Sequence, residues 1–495
     1  MRRSAGGEEG LRSELVRRVA AGERFAGLHG SGDPAHGLTI TAMLAGAHAV
    51  HLLDAQLPTG ATNYRALTPH IPAAFWYERV LHDLFGVVPL GHPRLDPLVL
   101  PRRENSTELP MPGAAHHPRA VEPDEGAWPR RVLGDGVFTI PHGPVRSGIF
   151  ESVEYLVETP GEDIPHVNVR PFAKHRGAQV RFEGLSFADG VLLAERVEGI
   201  ASVAHALAFA HAVETGCGVT VPRAAGLVRV IHAELERIAN HLDVAMKLAD
   251  AAGLAVAVAR FGWHKERTLG LRARLCGSRF GRGVVVAGGV AAMPRISGAQ
   301  CRAELHKLAK AIHADEKALM DSSSFLDRLR GTGPLDPGLA ERFGALGPVG
   351  RASGCQDDSR WVRPYDAYPV LDVPAGKVAE DGDAMARLRV RWAELRASVS
   401  LIYQSIEMLE VTDSESLAVP VEPGEFRSVG WAEAPQGEVL YVLDTAADGG
   451  LRFCAPRSAS LHNLALFAST FRGDILTDFP FIEASFGLSI AGVVM

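Results

Sequence analysis

The stretch Leu227-Val-Arg-Val-Ile231-His-Ala-Glu234-Leu235-Glu-Arg237-Ile238-Ala-Asn-His241-Leu242 decides the fold. Leu227, Ile231, Leu235, Ile238 and Leu242 follow at intervals of 4, 4, 3 and 4, which lays them along one helix face as a buried stripe. Leu305, Leu308, Ile312 and Leu319 repeat the period. So do Leu388, Leu395, Val399, Ile402, Ile406 and Leu409, after a helix start at Asp381-Gly-Asp383. These stripes predict a helix bundle in the middle of the chain. The first helix also carries Glu234, Arg237 and His241 at i, i+3 and i+7, a polar second face suited to an ion pair. A solvated or interhelical salt bridge is the plainer reading of that face.

Outward from the bundle the period changes. Upstream, Val137 to Ile140 and Ile149 to Val157 read as strands, the second placing Ile149, Val153, Tyr155 and Val157 on one face; Asn168 to Phe172 and Ala178 to Phe182 are expected to extend that sheet. Farther upstream, Pro101, Pro110, Pro112, Pro118, Pro123 and Pro129 sit among polar residues with no apolar period, which predicts an extended connector over 106–136. Before it, Ala45 to Leu53 and Phe75 to Val88 are broken by Pro and Gly and predict a small α+β domain over 1–105. Downstream of Phe426, short strands (Val439 to Leu443, Arg452 to Ala455) and a helix near Leu461 to Phe467 complete a second domain over 137–495. The expected class is α+β, with a central helix bundle and small peripheral sheets.

Composition narrows the function. The chain has 495 residues, 46% hydrophobic and 22% charged, with 52 Gly and 31 Pro, the profile of an ordered multidomain protein. Its 51 basic and 58 acidic residues give −7, which argues against a nucleic-acid partner. Cys217, Cys276, Cys301, Cys355 and Cys454 form no C-x-x-C pair, against a disulfide framework, a zinc ribbon or a self-contained iron–sulfur cluster. The first residues lack an apolar signal region and no apolar run approaches the ~20 residues of a spanning helix, so membrane contact is expected to come through partners.

Several polar groups interrupt the apolar pattern. Arg351-Ala-Ser-Gly354, with Asp357, Asp358 and Arg360, concentrates charge in a Gly-containing loop, read either as the approach to a buried site or as a plain polar loop. Glu433 lies in an apolar stretch, where burial raises a carboxyl pKa and suits a proton relay; an exposed hairpin is the alternative. His175-Arg176-Gly177 says little alone, and His116-His117 reads as solvated. No G-x-G-x-x-G opens a helix after a strand, and neither a P-loop nor G-x-S-x-G occurs.

Taken in order, these motifs resemble a known family. Trp76-Tyr-Glu-Arg-Val-Leu-His-Asp83-Leu-Phe-Gly86-Val-Val-Pro-Leu-Gly91-His92-Pro93, with Leu98-Val-Leu-Pro101, resembles the signature of the C-type subunit of NADH–quinone oxidoreductases. From Ile140 onward the chain resembles the large subunit of group 4 nickel–iron hydrogenases and the D-type subunit of complex I. The fusion is similar to the formate hydrogenlyase large-subunit family. The landmarks are His175-Arg-Gly177, Arg196 to Ala201 through His205, Glu234 to His241, Gly277-Ser-Arg279, Arg351 to Arg360, Glu433-Ala-Pro435 and Arg472-Gly-Asp474.

The resemblance also sets expectations where the chain departs from it. Nickel needs soft thiolates, supplied in the family by two C-x-x-C pairs, but the matching positions here are Glu198, Ala201, Ser489 and Gly492. No nickel–iron centre and no metal is therefore expected. Gln179 and Gln436 stand where the family has a proton-passing glutamate and an arginine. Arg146 and Gly199 replace the complex I quinone-headgroup contacts. The resemblance implies an iron–sulfur small subunit with a [4Fe–4S] cluster, integral membrane subunits, a place on the cytoplasmic side of the cell membrane held through partners, and no cofactor or NAD bound directly. The cavity candidates are Glu198, His175, Arg176, Arg351, Asp358, Arg360 and Glu433, with Arg146 and His142 facing the headgroup of a quinone-type acceptor. Two roles are open, an oxidoreductase-complex subunit taking part in electron transfer or its coupling, and a structural bridge without chemistry of its own.

Overall fold

A computed structural model describes residues 2–4, 7–33, 36–99, 132, 134, 136–146, 151–376, 379–412 and 416–495. The expected connector falls almost entirely outside these residues, as do His116 and His117.

The central helices are α1 (Ser202–Cys217), α2 (Arg223–Ala251), α3 (Ala255–Cys276), α4 (Gly298–Met320) and α5 (Ala384–Glu410). Helix α2 carries the opening stripe, and Ile231, Leu235, Ile238 and Leu242 pack with Leu275 of α3, Leu305 and Ile312 of α4, and Leu388, Leu395 and Ile402 of α5 in one core. Burying such a side chain contributes ~1.5–3 kcal/mol each. Local chemistry sets the helix ends. The Asp383 carboxylate accepts the Ala386 N–H and starts α5 where the Asp-Gly-Asp motif placed it. Ser297 and Gln300 form a capping box on α4.

Strands β1 (Arg427–Ala434), β2 (Gly437–Thr445) and β3 (Leu451–Arg457) form an antiparallel meander. One face, with Ala432, Val439, Tyr441 and Leu443, packs on Ala206, Phe209 and Ala210 of α1. A Cβ on Gly430 would lie 2.2 Å from the Ala208 carbonyl oxygen and the Ala212 nitrogen, so only glycine lets helix and sheet approach so closely. The other face, with Val429, Leu440, Val442 and Phe453, meets Ala26, Met43, Val50 and Leu52 of the N-terminal sheet.

That N-terminal sheet has the order Arg2–Ser4, Val50–Gln56, Gly37–Ala45, Arg24–Asp33, the first pair parallel and the others antiparallel. The helix Phe75–Phe85, which carries the C-type signature, buries Trp76, Tyr77, Leu81, Leu84 and Phe85 and ends at Gly86 with φ +70°. Ion pairs clamp this part to the rest: Glu438 of β2 receives Arg24 at 2.7 Å, Arg363 at 2.8 Å and Arg457. Tyr77 and His462 hydrogen-bond at 2.9 Å.

A third sheet joins Phe138–His142, Glu154–Thr159 and His166–Arg170, antiparallel throughout. Val153, Tyr155 and Val157 are buried as the alternation predicts, while Ile149 lies outside the described residues. The expected fourth strand is instead a helical turn, Ala178–Arg181. Pro171 ends the preceding strand because it has no N–H for the ladder, and Gly177 at φ +62° turns the chain so that Arg181 N–H bonds Gly177 O. The whole is α+β, a β-rich N-terminal part beside a helical centre with small peripheral sheets, as the sequence predicts.

Candidate functional site

The two segments that bear the four metal-ligand positions of the resemblance converge. Glu198 and Ala201 immediately precede α1, while Ser489 and Gly492 follow a helix, α6 (Phe479–Phe486), near the C-terminus. Arg176 ties them, donating to the carbonyl oxygens of Arg196 and Val197 on one side and of Ala491 at 2.8 Å on the other. A Cβ on Gly492 would stand 2.5 Å from Glu198 Oε2, so the carboxylate fills the space between the segments. Glu198 is 1% exposed and accepts from Ser458 at 2.6 Å, Ser460 at 2.8 Å and His205 Nε2 at 3.0 Å. The Tyr441 hydroxyl meets His205 Nδ1 at 2.8 Å, and the Ser489 hydroxyl donates to Glu151 at 2.6 Å.

One carboxylate, one methyl, one hydroxyl and a glycine do not fit a nickel–iron centre, which is held by four thiolates. Glu198 instead fills the space beside Gly492 and is bonded by Ser458, Ser460 and His205. Among the described residues no group of three or more His, Cys, Asp or Glu side chains is arranged to hold a metal ion.

A second cluster lies in the bundle interior. Arg351 donates to Glu394 Oε1 through Nε at 2.9 Å and Nη2 at 2.6 Å, and its Nη1 stands 3.3 Å from both Glu433 and Asp358. Arg360 pairs with Asp358 at 2.7 Å and Glu234 at 3.2 Å, and Arg237 with Glu234 at 3.1 Å. His241 Nε2 reaches Glu394 at 2.9 Å, and Ser398 and Tyr368 donate their hydroxyls to Glu234. The polar face of α2 is thus a buried interhelical network, and Glu433, 3% exposed, is not on an exposed hairpin.

Four carboxyls here share three directly bonded guanidinium groups, which leaves one in excess. Burial opposes ionisation of Glu394, but Arg351 and His241 outweigh it and hold it well below the carboxylate range. For Asp358 and Glu234 burial is likewise outweighed, by Arg360 and Arg351 and by Arg237 and Arg360 respectively. Glu433 goes the other way: burial, with Asp358 beside it, pushes its carboxyl up to about 7. It is the one carboxyl of these four that is held up near neutrality.

The remaining candidates lie apart from this network. His175 lines a cavity of about 40 Å³ with Gln179 and His29, and burial pushes its ring below the ordinary histidine value. Arg146 is committed to Glu483 of α6 through two bonds at 2.8 and 2.9 Å, with His142 Nε2 3.4 Å from its Nη1 and exposed. Gln436 is 1% exposed, and its side-chain amide meets no hydrogen-bond partner among the described residues.

Sequence reasoning missed Glu394, Ser398, Tyr368, Ser458 and Ser460, and also Tyr365, whose hydroxyl accepts the Glu433 N–H. Glu394 sits one residue before Leu395 of the α5 stripe, and a carboxylate beside a core position was a usable signal. The serines and tyrosines carry none, since their hydroxyls matter only through the fold.

Residues 27–112 match the respiratory-chain NADH dehydrogenase 30 kDa subunit family, and residues 254–426 the 49 kDa subunit family. The NADH-quinone oxidoreductase C/D protein of Rhodopseudomonas palustris (strain BisA53) is 30% identical over 407 residues, covering 77% of this chain and 69% of that protein. The chain belongs to the C/D family of NADH-quinone oxidoreductases. Formate hydrogenlyase subunit 5 of Escherichia coli (strain K12), 28% identical over 441 residues, spans 88% of this C/D-type chain and 76% of its own length. One chain of the membrane-bound sulfane sulfur reductase, an archaeal respiratory membrane complex, shares the fold with a TM-score of 0.69 at 22% identity, over 74% of this chain and 100% of that one. The fused order expected from the sequence is therefore the order of the C/D family.

Proposed function

We propose that this chain is the hydrogenase-like subunit, without a nickel–iron centre, of a membrane-bound oxidoreductase complex, seated between an iron–sulfur subunit with its [4Fe–4S] cluster and integral membrane subunits on the cytoplasmic side. Its ionic network couples electron transfer in the partner to proton movement. The observation that carries this reading is Glu433, a fully enclosed carboxyl pushed up to about 7 beside Arg351 and Asp358. An electron arriving next to the network adds one negative charge, and Glu433 takes up one proton to balance it. Buried charges in low dielectric respond strongly to such a change. Arg351 and the Ser359 N–H hold the carboxyl in place, with Asp358 and Arg360 as the charges around it; a quinone-type molecule is the acceptor class, with His142 and Arg146 on the outer hairpin as headgroup contacts.

A second reading, a structural bridge without chemistry, is favoured by the saturation of Glu198 and by the commitment of Arg146 to Glu483. Redox-difference infrared spectroscopy separates the two. In the complex purified with its partners and reduced with dithionite, the first reading expects a protonated-carboxyl band that is absent in Glu433→Gln, with the same set of partners copurifying. It also expects Glu433→Gln to slow transfer from reduced viologen to a water-soluble quinone. No band, with transfer unaltered and assembly impaired in Arg351→Ala, establishes the bridge. Stoichiometric nickel in the purified complex overturns the metal-free assignment.

A further inference from the structure

A pocket of about 440 Å³ opens beside the ionic network, where α1, the start of α2, the loop 365–370 and β1 meet. Tyr365 lines it and is 8% exposed, and its phenolic oxygen accepts the Glu433 backbone N–H at 2.8 Å. One side chain therefore stands between the pocket and the Glu433 segment. Tyr368, on the same loop, donates to Glu234, and the two tyrosine rings meet edge to face at 5.0 Å. The loop thus touches the network at two of its carboxylate-bearing residues.

His211 of α1 fastens this loop to the sheet. Its Nδ1 lies 2.8 Å from the Trp431 carbonyl oxygen and its Nε2 3.0 Å from Asp366 Oδ2. A carbonyl oxygen and a carboxylate only accept, so the ring donates from both nitrogens and is an imidazolium. The other Asp366 oxygen receives Arg229 of α2 at 2.9 Å, and Arg229 is held in turn by Glu214 of α1 at 2.6 Å. Cations and carboxylates alternate along this chain of contacts. Arg223, at the start of α2, is the further charged group lining the pocket, and Tyr365 lies 5.0 Å from the His211 ring. Asp366 is held at φ +48°, in the left-handed region, a conformation that costs about 1 kcal/mol and persists because His211 and Arg229 fix its carboxylate.

We infer that this pocket is the port through which protons pass between solvent and the buried network, with Tyr365 as its inner gate and His211 as the positioning residue that holds the gate loop closed. The inference rests on the reading of Glu433 as an exchanging carboxyl and names its access route. On its other sides Glu433 meets Arg351 and the Ser359 N–H, all inside the protein. When His211 loses a proton, one ring nitrogen faces an acceptor with no hydrogen between them, and the loop loses an anchor. Burial works against the His211 cation, but Asp366 outweighs it and raises the ring above the ordinary histidine value. The lock is therefore complete below that raised value and is lost as pH rises through it.

Amide hydrogen exchange at Glu433, read at single-residue level by fragmentation mass spectrometry on the full complex, tests the port directly, because that N–H is bonded to the gate. Tyr365→Phe keeps the ring and removes the acceptor; exchange is expected to quicken about tenfold, the equivalent of one hydrogen bond. Tyr365→Ala is expected to quicken it further. In the wild type, protection at Glu433 is expected to fall as pH rises through the His211 titration, and this fall disappears in His211→Phe. Unaltered protection in Tyr365→Ala overturns the port even where the Glu433 infrared band is present. Quickened exchange without that band supports the gate and overturns the exchanging carboxyl.

Discussion

Glu433→Gln is the sharpest probe of the ionic network, because the sign of its effect reverses the usual expectation for a buried carboxylate. Burial and Asp358 hold the folded carboxyl at about 7 against its ordinary 4.5. Below the lower value the folded and unfolded chains both carry the proton, and the group costs nothing. Between the two values only the folded chain keeps it, so stability falls as pH rises, and above about 7 the full penalty is present. A gap of about 2.5 pH units at ~1.36 kcal/mol each makes that penalty roughly 3 kcal/mol. Glutamine carries no charge to desolvate, but it weakens the contacts with Arg351 at 3.3 Å and the Ser359 N–H at 3.1 Å. That loss is ~1–2 kcal/mol. The variant is therefore expected to be ~1–2 kcal/mol more stable than wild type near pH 8 and equal or slightly weaker near pH 5. Glu236, also pushed by burial up to about 7, contributes the same slope to both proteins and cancels in the difference. Urea denaturation of the full chain at the two pH values measures it. A difference that does not change with pH, or a variant weaker at the higher pH, refutes the reasoning.

Other perturbations have equally definite outcomes. Arg351→Met leaves Glu394 with His241 and the more distant Arg237 at 3.8 Å, and is expected to cost ~3–5 kcal/mol in urea denaturation, whereas a loss below ~1 kcal/mol would show that the network relaxes without it. Glu438→Gln leaves Arg24, Arg363 and Arg457 facing a neutral amide, and calorimetry is expected to split one unfolding transition into two as the N-terminal part undocks; a single unshifted transition contradicts this. Gly492→Ala puts a methyl against Glu198 and is expected to cost ~1–3 kcal/mol. In Glu198→Ala the same change is expected to cost much less, a coupling that a double-mutant cycle reads and that additivity would disprove.

The bundle was legible because its signal is periodic: the α2, α4 and α5 stripes bury most of the residues the 3.6-residue repeat selects, with Val399 and Leu409 half-buried at its margin and Leu227 in the neighbouring core under the meander. The turn at Ala178–Arg181 was not, because a short apolar run after a strand has no period of its own and a left-handed Gly177 decides its direction. At the site, Arg351, Asp358, Arg360 and Glu433 stand out as charges in apolar or glycine-rich surroundings, and the fold draws them together. Their partner Glu394 comes from another helix, and no local pattern says which faces of α2 and α5 will meet. The pairing of Arg146 with Glu483 is of the same kind, a contact between residues 337 positions apart.

The closeness of Gly492 to Glu198 also bears on how the site can change by mutation. Any side chain at 492 must enter space already held by the carboxylate and by the Ser458 hydroxyl, 2.7 Å from the same point. A cysteine restored there first meets Glu198; a cysteine restored at 198 first removes the acceptor that Ser458, Ser460 and His205 are built around. Each single step toward a thiolate pair thus passes through a weakened protein, although the pair together would not clash in the same way. The present packing of Glu198 against Gly492 therefore resists single substitutions at either position and tolerates change only when both are altered together.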